Sequence, residues 1–151
     1  MLPKTVNADM TTIDPDNEAT FKVCVIRSDP KQICIAQRTL LKELQLNGFR
    51  QETIFGLTLA LEEAVCNAVK HGNRCDPSKR VTIRYAVNEE KAVVVVRDEG
   101  GGFVPENVPD PTTPERLPLP NGRGIMLIRA YMDEVCYRDE GREVCFIKRR
   151  S

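Results

Sequence analysis

The sequence predicts an α+β two-layer sandwich, with a mixed, mostly antiparallel sheet carrying helices on one face. Three observations carry this. Strand-like and helix-like segments come in blocks rather than in strict alternation. Two pairs of strand-like runs are separated by turns of a few residues, which makes them hairpins. The 151 residues also suffice for a single domain. A chain of that size buries roughly 70% of its unfolded surface, so it needs no disulfide or structural metal.

Residues 1–19 are polar and contain Pro3 and Pro15, as expected of a loosely held arm ahead of a domain spanning 20–151. Phe21 to Arg27 alternates apolar and polar side chains and is rich in β-branched residues, so it is a strand. Ser28-Asp29-Pro30 caps a helix that runs to about Leu46 and ends at Asn47-Gly48. A second helix is expected from about Gln51 to His71, stopping at Gly72-Asn73. Arg80–Val87 and Ala92–Asp98 are strands joined by a turn from Asn88 to Lys91. The second of these is apolar throughout, as befits the middle of a covered sheet.

From Val104 to Asn121 neither helix nor ladder can persist, because Pro105, Pro109, Pro111, Pro114, Pro118 and Pro120 interrupt both. The stretch, 104–121, reads equally as a functional lid or as a surface insertion. Gly124 to Met132 then forms a short helix, and Glu134–Arg138 and Glu143–Arg149 close the chain as a hairpin about Asp139-Glu140-Gly141.

Twenty-two basic and 22 acidic residues cancel, so no net field draws the chain to nucleic acid or to anionic lipid. The opening residues carry no apolar export signal and no run approaches a membrane span, which together predict a cytoplasmic protein. The six cysteines show no metal-binding or redox spacing. Cys24, Cys136 and Cys145 fall in apolar strand-like runs and are expected to be small core side chains.

Chemistry concentrates in three places. On the second helix, Leu57, Leu61, Ala64, Val65, Ala68 and Val69 form an apolar stripe, while Glu63, Asn67, Lys70 and His71 share a polar arc of about 100°. Taken alone, that arc fits a solvated helix face better than a site. The apolar strand next runs into Asp98-Glu99-Gly100-Gly101-Gly102, placing a carboxylate beside backbone that a ligand can approach. Such a carboxylate can accept a hydrogen bond from an exocyclic amine such as adenine's. Lastly, Gly122-Arg123-Gly124 opens a helix whose free N–H groups favour phosphate, with the Arg123 guanidinium beside them. No Gly-Lys-Ser/Thr follows, so this is not a P-loop.

In order and spacing these elements resemble the GHKL ATPase superfamily, and within it the bacterial anti-sigma-factor serine kinases. Glu62 to Gly72 resembles the N box, Asp98 to Phe103 the first glycine box, Gly122 to Ile125 the second, and Tyr131 to Val135 the stretch that follows it. The resemblance covers residues 20 to 150. It implies a Bergerat-type sandwich that binds ATP and Mg²⁺, with 104–121 as the ATP lid. Asn67 would hold the metal, Asp98 the adenine amine, and Glu63 would be the general base. Lys70 and His71 would lie near the phosphates, with Gly100, Gly102, Gly122, Gly124 and Ile125 lining the nucleotide and Arg123 offsetting its charge. The implied partners are an anti-sigma antagonist presenting a serine and a sigma factor held in its place, with an isologous homodimer as the default assembly. A non-catalytic nucleotide-gated switch and a stand-alone ATPase share the same pocket. The Pro-rich lid departs from the family pattern, and Glu115 and Arg116 match no family position.

Overall fold

The computed structural model describes residues 21–100 and 128–150. The strands are β1 (Lys22–Arg27), β2 (Arg80–Val87), β3 (Lys91–Arg97), β4 (Glu134–Arg138) and β5 (Glu143–Arg149). The helices are α1 (Ile33–Leu46), entered through a 3-10 turn at Pro30–Gln32, and α2 (Gln51–Asn67), continued by a π-helical turn at Ala68–Gly72. Residues 128–131 are the described end of a further helix. The arm, the lid and the second glycine box lie outside the described residues.

The sheet order is β1-β2-β3-β5-β4, and all four described pairings are antiparallel. The continuously apolar strand β3 is therefore central, as its composition requires. Its even-numbered side chains join the main core, where Val94 meets Tyr85 and Phe146 in register, and α1 and α2 cover this face. Its odd-numbered side chains, Val93 and Val95, are fully buried on the opposite face in a second cluster with Phe21, Ala86 and Cys145. Burying apolar matter on both faces of one strand stabilises the sheet by about 1.5–3 kcal/mol per large side chain.

The element ends follow the local chemistry. The Asp29 side chain accepts the Lys31 N–H at 3.0 Å, with Pro30 in the first turn. Gly48 ends α1 at φ +77°, a left-handed conformation that costs glycine little. The β2–β3 turn is closed by Asn88, whose side chain accepts the N–H groups of Glu90 and Lys91.

Two expectations need correction. The second helix does not stay α-helical to His71: its last turn widens at Ala68, so a 100° advance per residue no longer places the side chains beyond that point. Cys136 is exposed and Cys24 only half-buried; of the three strand cysteines, Cys145 alone is buried. β4 is an edge strand, and it turns Val135 and Tyr137 to the core and Cys136 away from it.

Candidate nucleotide site

The predicted stripe of α2 packs against the sheet: Leu57, Leu61, Val65 and Val69 are fully buried, and Ala64 and Ala68 nearly so. This fixes the rotation of the helix. Asn67, on the flank of the stripe, then opens onto a pocket between α2 and the end of β3. Ala64, Ala68, Val96, Ile128 and Val144 give the pocket apolar walls, and Asn67, Asp98, Tyr137 and Arg142 contribute polar groups. Part of the floor is one row across the sheet, since Val96 faces Val144 and Val144 faces Tyr137. The slot itself is narrow, about 10 Å³, room for roughly one water-sized sphere.

Asp98 is only 3% exposed. Burial pushes its carboxyl above the usual aspartate range; the Gly100 N–H, which its Oδ1 accepts at 2.8 Å, and the charges of Arg142, Arg97 and Lys79 pull it back in part. A carboxylate held against that desolvation cost is a functional candidate.

Its surroundings are shaped by two glycines. A Cβ on Gly72 would sit 2.2 Å from Asp98 Oδ2, and a Cβ on Gly100 would sit 1.6 Å from the Gly72 carbonyl oxygen. The π-helical turn and the first glycine box thus touch main chain to main chain, with the Asp98 carboxylate packed against Gly72. Such turns recur at functional sites because they displace backbone locally.

The other predicted residues distribute as follows. Glu63 is half-buried one α-turn before Asn67; burial raises its carboxyl, as does neighbouring Glu62, while Lys70 opposes the shift. Lys70 and His71 are exposed on the π-helical turn and do not line the pocket with Asn67 and Asp98. Gly100 is buried beside Asp98. Gly102, Gly122, Arg123, Gly124 and Ile125 lie outside the described residues. Sequence reasoning missed Tyr137, Gly141 and Arg142, which reach the pocket from the β4–β5 hairpin. Burial pushes the Tyr137 phenol up to about 12, so it is a neutral wall at physiological pH. No local signal marks these residues; the sheet order alone brings the hairpin beside β3.

Among the described residues no cluster of three or more His, Cys, Asp or Glu side chains could hold a metal ion by itself. The donors present fit Mg²⁺ in another way. That ion commonly takes one or two protein oxygens and completes its shell with phosphate and water, and the Asn67 amide oxygen is such a donor.

A family described as the histidine kinase-like ATPase domain matches residues 26–148. The chain belongs to this family. The five described strands form an antiparallel sheet with helices on one face, which is the α+β GHKL ATPase architecture. The chain is also similar to proteins named serine-protein kinase RsbW. It is 31% identical to that of Listeria monocytogenes over 127 residues, covering 79% of this chain and 80% of the relative. Against the Bacillus subtilis protein it is 31% identical over 125 residues, 79% and 78% of the two chains. Against that of Oceanobacillus iheyensis it is 29% identical over 116 residues, 73% of each. Membership of the ATPase family supports ATP use by this chain. No helix among the described residues is long and apolar enough to cross a membrane.

Proposed function

We propose that this protein is an ATP-dependent serine protein kinase that phosphorylates an anti-sigma antagonist and, in its absence, holds a sigma factor. The observation that carries the reading is the placing of Asn67 and Asp98 on facing elements of one apolar slot, with Glu63 about 6 Å before Asn67 along α2. Relatives named as serine-protein kinases support the choice of acceptor.

In this reading Asp98 accepts a hydrogen bond from the adenine amine, and Ala68, Val96, Ile128 and Val144 enclose the base. Asn67 would hold Mg²⁺ through its amide oxygen, and the ion would neutralise and orient phosphate oxygens. The partner's serine Oγ attacks the γ-phosphorus, the bond to the β–γ bridging oxygen breaks, and ADP leaves. Glu63 takes the serine proton. Most of the acceleration in such transfers is positioning and charge stabilisation, so a weak carboxylate base acting late is sufficient. Arg123 offsets charge on the transferred group, and Lys70 and His71 contribute from the π-helical turn.

Incubation with γ-labelled ATP, Mg²⁺ and a serine-bearing antagonist domain should give phosphoserine on that domain. Absence of transfer from a protein that still binds ATP would sink the kinase reading. Asn67→Ala should weaken Mg²⁺-ATP binding roughly 10- to 100-fold while changing Mg²⁺-free ATP binding little, as titration with and without the ion would show.

A further inference from the structure

The segment Asp98-Glu99-Gly100 is gripped from two sides by side chains outside the recognised boxes. Asn73, the residue after the π-helical turn, is 1% exposed. Its carboxamide oxygen accepts the Glu99 N–H at 2.8 Å. Its amide nitrogen donates to the Ser28 hydroxyl at 2.8 Å and to the Arg80 carbonyl at 2.9 Å. Ser28 in turn donates to the Lys79 carbonyl at 2.8 Å, and the Glu99 carboxylate accepts the Arg80 N–H at 2.6 Å. One buried side chain thus ties the glycine box to the exit of β1 and the start of β2.

The backbone around Asn73 is built to aim it inward. Its own N–H reaches back five residues to the Ala68 carbonyl at 2.7 Å, and the Cys75 N–H reaches the Val69 carbonyl at 2.7 Å. Arg74 and Cys75 follow at φ 52° and 58°, left-handed values that non-glycine residues seldom adopt. Strain of this kind persists where the surroundings impose it.

Arg142 closes the other side. Its main-chain carbonyl accepts the Asp98 N–H at 2.9 Å. Its Nε donates to the Gly100 carbonyl at 2.7 Å, and its Nη1 is held at 3.3 Å by both the carbonyl and the carboxylate of Asp139.

We infer that Asn73 and Arg142 are positioning residues that set the Asp98 carboxylate in place and so determine preference for adenine over other bases. The inference rests on the nucleotide reading of the pocket. The physical argument is that a single carboxylate selects a base edge by direction, and a swing of an ångström makes it a general acceptor. Asp98 sits at the end of a strand beside a glycine run, where the chain is intrinsically permissive. Fixing it therefore requires bonds to the residues just after it, at Glu99 N–H and Gly100 C=O, and these are the two groups that Asn73 and Arg142 hold.

The test is titration of ATP and GTP into wild type, Asn73→Ala, Asn73→Asp and Arg142→Ala, with amide hydrogen exchange at Glu99 and Gly100 in the ligand-free proteins. Asn73→Ala should lose roughly tenfold in ATP affinity and a similar factor in ATP-over-GTP preference, with faster exchange at Glu99. Asn73→Asp keeps the acceptor for Glu99 and loses both donors, so it should melt earlier yet retain the preference. A merely structural Asn73 would instead lower the melting point of both variants and leave selectivity alone. Arg142 is part-exposed at the hairpin turn, so Arg142→Ala folds and gives a several-fold loss of preference. Should Asn73→Ala not fold, Arg142→Ala and Asn73→Asp decide the matter. Folded variants with wild-type preference and wild-type exchange at Glu99 and Gly100 would overturn the inference while leaving the nucleotide site intact. Wild type that binds neither nucleotide would remove the nucleotide reading, and this inference with it.

Discussion

Gly100→Ala is expected to abolish ATP binding, with affinity falling by roughly a hundredfold or more. The added Cβ would stand 1.6 Å from the Gly72 carbonyl oxygen, 2.2 Å from its carbonyl carbon and 3.1 Å from the Asn73 nitrogen. All three are main-chain atoms, so no flexible side chain can yield. Either the glycine box or the π-helical turn must move, and Asp98 is packed between them. Gly72→Ala acts on the same contact from the other side, since its Cβ would fall 2.3 Å from Asp98 Cγ. Titration with ATP, alongside circular dichroism to verify folding, checks both. A folded Gly100→Ala protein with wild-type affinity would show that the base does not sit against this contact.

Glu63→Gln is expected to slow phosphate transfer by about 10²- to 10⁴-fold while leaving the ATP dissociation constant within a few-fold of wild type. The base must be ionised to act. Burial raises the Glu63 carboxyl above its ordinary value near 4.3, so transfer should fail on acidification at a higher pH than for a free glutamate. The linkage has a definite sign. A carboxyl raised in the folded state binds its proton more tightly there, so ionised Glu63 costs stability above its folded value. Glu63→Gln should accordingly melt no lower than wild type at neutral pH. A transfer assay across pH, with parallel melting curves, separates this base role from a loss of structure. Unchanged transfer in Glu63→Gln would remove Glu63 from the reaction.

The parts of the fold legible in the sequence were those set by local pattern. The unbroken valines of β3 required cover on both faces and hence a central place, and the structure gives it one, between β2 and β5. The stripe from Leu57 to Val69 fixed which side of α2 meets the sheet. Capping at Asp29 and termination at Gly48 rest on side chains and φ values that their residue types announce. The widened turn at Ala68–Gly72 was not legible, because helical periodicity assumes a constant advance and nothing in Ala-Val-Lys-His-Gly signals otherwise. Lys70 and His71 lie on that turn and are exposed.

At the site, the pairing of Asn67 with Asp98 could be anticipated through the family resemblance, and the structure places both on one pocket. The contact of Gly72 with Asp98 and the reach of Arg142 to Gly100 could not. They join residues far apart in sequence, and only the order of strands brings them together. The exposure of Cys136 was missed for a related reason: alternation identifies two faces of a strand, whereas only the neighbours decide which of them is covered.

The most direct test of the nucleotide site is calorimetric titration of ATP with Mg²⁺ into wild type and Asp98→Asn. Wild type should bind in the micromolar range, and Asp98→Asn should lose that binding while melting no lower at neutral pH, since it sheds a buried charge. Wild type that binds no ATP, or an Asp98→Asn protein that binds it equally well, would contradict the assignment of this pocket to adenine.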